Sequence, residues 1–125
     1  MIGETDLATL LRTMDAALAD GEFVFCTVAD PQGIENIGTF REDEGWTVIV
    51  ARSVADARGL RYDGVFRLIT LRVHSSLLAV GFLAAMATAL AREGISVNAI
   101  SAFHHDHLFV PADRAEDAMR VLRTM

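Results

Sequence analysis

The stretch that decides the fold runs from Phe66 to Val110: FRLITLRVHSSLLAVGFLAAMATALAREGISVNAISAFHHDHLFV. Its first part alternates, with Ile69, Leu71 and Val73 separated by polar residues, and this period is typical of a half-buried strand. From residue 77 to residue 91 almost every side chain is apolar, which predicts a helix rather than a strand because of its length. The stretch therefore begins as a strand followed by a helix.

The second part of the same stretch predicts two strands joined by a turn. Arg92-Glu93-Gly94 ends the helix with a charged last turn and a glycine, a common helix terminator. Residues 95–103 and 108–110 have the length and apolar content of strands. We expect them to be joined across the polar tip His104-His105-Asp106-His107.

A last helix is predicted after Pro111, because Asp113 and Glu116 have the spacing of a capping box. The order strand, helix, strand, strand, helix predicts an α+β fold of the ferredoxin-like type, with an antiparallel sheet and the helices on one face. We expect the long helix to bury the following residues against the sheet: Val80, Leu83, Ala84, Ala87 and Leu90.

The first half of the chain predicts a shorter version of the same order. Thr5 or Asp6 is expected to cap a helix that runs to about Ala19. The remaining elements are strands at 23–28, 37–40 and 46–51, and a short helix that Ser53 caps and Gly59 ends. We therefore expect two ferredoxin-like units in tandem, an abbreviated unit over residues 1–64 and a full unit over residues 65–125.

The composition limits the partners of this chain. A net charge of −6 and a pI near 5.0 argue against nucleic acid and against an anionic membrane surface. All 11 basic residues are arginine, so lysine chemistry such as Schiff-base catalysis is excluded. Cys26 lies in an apolar run and is expected to be buried. The apolar run 77–91 is too short to span a membrane, and the expected compartment is the cytoplasm.

The segments HSSLLAVGFLAA, GISVNAIS and HHDHLFVP resemble an ACT domain, the regulatory module found in aspartokinases and other amino-acid enzymes. Gly81 and Gly94 take the places of two glycines in the ACT pattern, and Val80 replaces the proline that usually precedes the first of them. EFVFCTV and EDEGWTVIVA extend the resemblance to the first half. The whole chain resembles stand-alone bacterial tandem ACT-like proteins, which implies a small-molecule ligand such as an amino acid.

Several residues are candidates for binding that ligand. The loop at Ser75 and Ser76 leads into a helix, where free backbone N–H groups and the helix dipole favour an anion; simple N-capping is the alternative. Gly81 permits close approach of a ligand or of another backbone, and Asn98 offers a side-chain amide or a structural hydrogen bond. The complete set of expected ligand-binding residues is Ser75, Ser76, Val80, Gly81, Asn98, His105 and Asp106.

Two other functions remain open at this point. The cluster from His104 to His107 offers imidazole and carboxylate groups that suit a metal site or a small hydrolytic centre. A module that binds no ligand at all is the other alternative. We expect neither an enzyme nor a cofactor, because no nucleophile–base–orienter set is recognisable. A helix that is apolar around most of its circumference needs cover on several sides, so we expect a homodimer.

Overall fold

The computed structural model describes residues 3–125, so the first two residues of the expected unit 1–64 lie outside the described residues. The elements are α1 (Leu7–Thr13), β1 (Ala16–Leu18), β2 (Phe23–Val28), β3 (Gly38–Glu42), β4 (Gly45–Ala51), α2 (Arg52–Arg58), β5 (Phe66–Leu71), α3 (Phe82–Arg92), β6 (Asn98–Ser101), β7 (Asp106–Pro111) and α4 (Ala115–Arg123). A turn of 3-10 helix, Ala112–Arg114, precedes α4. No helix within 3–125 has the length and apolar character needed to cross a bilayer.

The chain forms two compact units. One of them is built from two separate stretches of the sequence, and the other from a single stretch. The discontinuous unit combines the described residues up to Asp20 with Arg67–Met125, whereas the continuous unit is Gly21–Phe66. The division expected from the sequence, 1–64 and 65–125, remains a prediction about domain boundaries.

In the discontinuous unit, helices cover one face of a sheet with the strand order β1–β5–β7–β6. The alternation predicted for β5 is present, because Ile69 and Leu71 are fully buried in the core. Leu108 and Val110 of β7 join them on the same face. The rest of this core comes from the helices α1, α3 and α4 and from residues directly after α1 and α3: Leu10, Met14, Phe82, Met86, Leu90, Ile95, Ala115, Ala118, Met119 and Leu122. The predicted α+β fold, with its helices on one face, is confirmed.

The helix α3 begins later than predicted, and this changes its buried face. It starts at Phe82, with Gly81 as its N-cap. The buried residues are Phe82, Met86 and Leu90, which are separated by four positions and therefore share one face. Of the five residues expected to be buried, only Leu90 is fully buried; Leu83 and Ala87 are half-buried, and Val80 and Ala84 are exposed.

The first helix is much shorter than predicted. Asp6 is its N-cap, as expected, and its carboxylate accepts a hydrogen bond from the backbone N–H of Thr9 at 3.0 Å. The helix ends at Thr13, and Asp15 then adopts a left-handed conformation with φ 46°. The chain continues as β1, which pairs antiparallel with β5. The prediction of a helix to Ala19 was wrong because pairing with a distant strand outweighs local helix propensity.

The hairpin of β6 and β7 also differs from the expected turn. Asp106 and His107 lie inside β7, and Ser101 is paired with Asp106. The turn is closed by a hydrogen bond from the Ala102 N–H to the carbonyl of His105, at 3.0 Å. The predicted side-chain caps at Ser53 and Asp113 are absent, since neither α2 nor α4 has a side-chain cap.

The continuous unit is a three-stranded antiparallel sheet in the order β3–β4–β2, with α2 on one face. Val24 and Cys26 of β2 lie opposite Val50 and Val48 of β4, and all four side chains are buried against Ala55 of α2. Cys26 is therefore a buried core residue, as predicted, and burial raises the pKa of its thiol. This makes it a poor nucleophile.

We predict that Leu90→Ala lowers the free energy of unfolding by about 2–5 kcal/mol, because it leaves a cavity in a fully buried site. Thr88 of the same helix is exposed, so the control variant Thr88→Ala should lower it by less than about 0.5 kcal/mol. Denaturant unfolding of both variants measures the difference. Equal losses would show that the buried face of α3 is wrongly assigned.

Candidate functional site

A small cavity lies in the discontinuous unit, where the loop after β5 enters α3. Its volume is about 120 Å³. Three segments line it: the loop 75–81, the first turn of α3 and the facing ends of β6 and β7. The lining residues are Ser75, Ser76, Leu77, Ala79, Gly81, Phe82, Leu83, Ala84, Ser101 and Asp106. The cavity combines polar groups with small side chains.

The most unusual group in the cavity is the carboxylate of Asp106, which is only 4% exposed. β7 turns this side chain to the same face as Leu108 and Val110, so it lies at the edge of the core. Two hydroxyl groups donate to it: Ser75 Oγ reaches Oδ2 at 2.8 Å, and Ser101 Oγ reaches Oδ1 at 2.7 Å. Each carboxylate oxygen can accept a further hydrogen bond, so Asp106 retains capacity for a cationic donor.

The opposite wall of the cavity is the N-terminus of α3. Gly81 has φ 93°, a left-handed conformation that glycine adopts without strain. The first intrahelical bond joins the Ala85 N–H to the Gly81 carbonyl. The amides of residues 82–84 therefore have no helical acceptor, and no side chain caps them. This wall offers backbone donors at the positive end of a helix dipole.

The loop before α3 uses three of its backbone amides within the protein, so these three are not free as the sequence led us to expect. The N–H of Ser76 donates to the Glu4 carbonyl at 2.8 Å. The N–H of Leu78 donates to Ser76 Oγ at 3.0 Å, and the N–H of Ala79 donates to the Ser76 carbonyl at 3.0 Å. These three amides are therefore not available to a ligand, whereas those in the first turn of α3 have no helical acceptor.

The structure brings together four of the seven expected ligand-binding residues, namely Ser75, Ser76, Gly81 and Asp106. The other three do not line the cavity. Val80 is 83% exposed. Asn98 is exposed and lies on the sheet face away from Asp106, because Ser101, three positions later on β6, shares the Asp106 face. His105 is half-buried outside the lining. A ligand role for any of the seven is a prediction.

Ser101 and the first turn of α3 are cavity residues that the sequence did not reveal. Ser101 is identified only by the hairpin register, which places it directly opposite Asp106. The sequence holds one signal that could have predicted this pairing. A buried aspartate needs hydrogen-bond donors, and a serine on the neighbouring strand can supply one. The α3 residues were missed because the helix was expected to start at Leu77.

The four histidines form a second cluster close to this hairpin. The ring centroids of His74 and His104 are 5.3 Å apart, and His104 lies 6.2 Å from His105. His105 in turn lies 6.4 Å from His107. Within residues 3–125, no three His, Cys, Asp or Glu side chains are arranged to hold a metal ion. Among these residues, the metal alternative has no supporting arrangement of side chains.

Within this cluster, the surroundings of His107 favour its neutral form. Its Nδ1 lies 3.0 Å from Thr70 Oγ1. Burial lowers the pKa of His107 below its ordinary value of 6.5, and the neighbouring His105 lowers it further, whereas Asp106 opposes the shift.

We predict that Asp106→Ala lowers the free energy of unfolding by about 1–3 kcal/mol, because the buried hydroxyl of Ser75 loses its acceptor. Asp113 is exposed, so Asp113→Ala should have a much smaller effect. Denaturant unfolding at neutral pH compares the two. An Asp106→Ala variant as stable as the parent would contradict the structural role given to this carboxylate.

We also predict that the protein loses stability as the pH falls below 6.5. In the window between 6.5 and the lowered folded-state pKa, the unfolded chain binds a proton at His107 that the folded chain does not. The contribution is fully present above pH 6.5 and disappears as the pH falls through the folded-state value. His107→Gln should flatten this part of the stability profile, whereas the exposed His104→Gln should leave it. Identical profiles for His107→Gln and the parent would contradict the assignment.

Comparison with known proteins agrees with this architecture. Two family models described as ACT domain match residues 2–67 and 65–124. No curated protein matches the chain. A solved protein of unknown function from Vibrio cholerae, described as a possible transport protein, is 47% identical, with a TM-score of 0.84 over 93% of this chain and 92% of that one.

Two aspartate kinase structures share the fold at low identity. The ligand-free regulatory subunit from Thermus thermophilus has a TM-score of 0.65 at 14% identity, covering 90% of this chain and 97% of that one. The aspartate kinase of Clostridium acetobutylicum has a TM-score of 0.62 at 10% identity, covering 86% of this chain and 33% of that one. The two matched segments together span nearly all of the sequence, and this chain belongs to the ACT-domain family.

Proposed function

We propose that this chain is a regulatory module that binds a small amino acid in the cavity between the start of α3 and Asp106, and that it catalyses no reaction. One observation carries the proposal: uncapped amides at a helix N-terminus and a buried carboxylate line the same cavity. A zwitterion presents the complementary pair of charges.

The two walls define how an amino acid would lie. Its carboxylate accepts hydrogen bonds from the amides of Leu83 and Ala84, where the helix dipole favours a negative charge. Its ammonium group donates to the lone pairs of Asp106 that Ser75 and Ser101 leave available. Charge-assisted hydrogen bonds at both ends are stronger than neutral ones.

The size of the cavity limits the ligand. Its volume of about 120 Å³ is below the roughly 300–1,000 Å³ of sites for drug-sized molecules. Glycine, alanine and serine fit this limit better than aromatic or long-chain amino acids. The small residues Ala79 and Ala84 in the lining are consistent with a ligand whose side chain is short.

A second copy of the chain would complete the cavity in this proposal. Leu77 and Leu78, beside the cavity, are 60% and 72% exposed, and Val80 is 83% exposed. Three adjacent exposed apolar side chains are more typical of an interface than of a free surface. We therefore retain the homodimer.

The family supports a regulatory function over an enzymatic one. ACT domains are typically regulatory modules that bind small ligands, and the aspartate kinase structures with this fold include a regulatory subunit. The cavity lining contains no histidine that could act as a general base towards its serines. We propose the cytoplasm as the compartment, because Cys26 is an unpaired thiol, and we propose no cofactor.

The test is thermal unfolding against a panel of amino acids. We predict that glycine, alanine or serine raises the melting temperature, because a ligand at 100 times its Kd stabilises the folded state by about 2.7 kcal/mol. Asp106→Asn removes the negative charge that the ammonium needs and should abolish the response. Asp113→Asn, a matched change at an exposed aspartate of the same unit, should respond like the parent.

Three outcomes would decide against the proposal. A panel without any response would favour the ligand-free interaction module. A response that Asp106→Asn retains would place the amino acid elsewhere. A response to large amino acids alone would contradict the size limit set by the cavity.

A further inference from the structure

The N-terminal segment holds the loop of the cavity through its backbone. The N–H of Glu4 donates to the His74 carbonyl at 2.8 Å, and the Glu4 carbonyl accepts from the N–H of Ser76 at 2.8 Å. Glu4 thereby forms a parallel bridge with Ser75. The two hydrogen bonds lie on either side of Ser75, whose hydroxyl donates to Asp106.

Gly3 allows this close contact. Its φ is 90°, and a Cβ atom at this position would lie 2.7 Å from the Ser76 nitrogen and 2.9 Å from the Ser75 carbonyl carbon. Those distances are far below van der Waals contact, and both atoms belong to the backbone, so rotation of a side chain cannot relieve the clash. A side chain at position 3 would have to displace either the N-terminal segment or the loop.

The same segment contacts the other end of the loop. The Glu4 carboxylate accepts from the N–H groups of Thr5 and Asp6, at 3.2 and 2.9 Å, which stiffens the turn into α1. The side chain of Leu7 lies beside Gly81, at the end of the loop. A Cβ atom added to Gly81 would be 3.4 Å from Leu7 Cδ2, which is ordinary van der Waals contact. Residues 3–7 therefore touch the loop 75–81 at its first and last positions.

We propose that residues 3–7 are a strap that positions the cavity loop, held through the backbone of Glu4, with Gly3 as the residue that permits the close contact. The strap fixes Ser75 by its backbone and so fixes the hydroxyl that orients Asp106. Gly3, Thr5 and Asp6 are exposed, and a short exposed segment held by two hydrogen bonds can detach without global unfolding.

The strap also gives the ligand site a means of regulation, and this part rests on the proposed function. When the strap already holds the loop in the conformation that binds the ligand, binding does not have to pay the conformational entropy of ordering the loop. If docking of the strap strengthens ligand binding, the ligand must strengthen docking of the strap by the same factor. Residues 3–7 are then the part of the molecule where occupancy of the cavity is detected.

Amide hydrogen exchange in the ligand-free protein tests the strap itself. Gly3→Ala should raise the exchange rate of the Ser76 amide by about tenfold or more, because it displaces the Glu4 acceptor. Gly94→Ala is the matched control: Gly94 also has a positive φ, 70°, in the same unit, but a Cβ there would meet nothing within 4 Å. Glu4→Ala keeps both backbone bonds and should leave Ser76 protected. Unchanged Ser76 exchange in Gly3→Ala, or an equal increase in Gly94→Ala, would overturn the strap.

Titration with glycine and with L-serine tests the linkage. In the parent, either amino acid should slow exchange of the Glu4 and Ser76 amides, and Gly3→Ala should weaken its binding by about fivefold or more, whereas Gly94→Ala should not. Binding that is equally tight in the parent and in Gly3→Ala would overturn the linkage. If neither amino acid binds to the parent, the proposed function fails, and the exchange rates of the ligand-free variants still decide whether the strap exists.

Discussion

The buried carboxylate of Asp106 is the constraint on which this region depends. A charged group that is removed from water is costly unless hydrogen bonds replace its hydration. The replacement comes from Ser75 on the loop and Ser101 on the neighbouring strand. One side chain thus connects its own strand, the adjacent strand of the hairpin and a loop 31 positions earlier in the sequence. The need to satisfy it fixes the hairpin register and the position of the loop at the same time.

The hydrogen-bond inventory of the loop explains where recognition can occur. Ser76 uses its N–H, its carbonyl and its hydroxyl within the protein, so this residue supports the loop rather than offering free donors. The left-handed conformation of Gly81 then turns the chain so that α3 begins without a side-chain cap. The first turn of α3 and Asp106 can therefore still form hydrogen bonds to a ligand, while the loop amides of Ser76, Leu78 and Ala79 are used within the protein.

The sequence predicted the class of fold because its periodic patterns are strong. The alternation around Ile69 requires one buried face, and the apolar run before Arg92 requires a covered helix, so the order of elements in the second half followed. Gly81 shows where prediction from these patterns fails. Glycine inside an apolar run is compatible both with a helix interior and with a left-handed cap, and only tertiary packing selects the cap. With the left-handed cap at Gly81, α3 starts at Phe82 rather than at Leu77, and its buried face differs from the one predicted.

The candidate site was predicted only in part for a related reason. Ser75 was identified because its loop leads into a helix N-terminus, and Asp106 because it is the carboxylate of the polar hairpin tip, whereas Ser101 depends on a cross-strand register. A slip of one residue moves every side chain of a strand to the other face, and no local pattern distinguished the two faces of β6, which is exposed throughout. Asn98 was predicted at the site for its side-chain amide, and the register places it on the sheet face away from Asp106.

The discontinuous unit has a consequence for how the chain is made. Leu10 and Met14 belong to a core whose other members come after Arg67, so during synthesis they must wait while the whole of Gly21–Phe66 emerges. Domains tend to fold as units as the chain is synthesised, and contacts across a long separation form slowly because the loop between them must close first. The continuous unit can therefore fold first on the ribosome, while an apolar N-terminal segment remains exposed to chaperones until β5 is available to pair with β1.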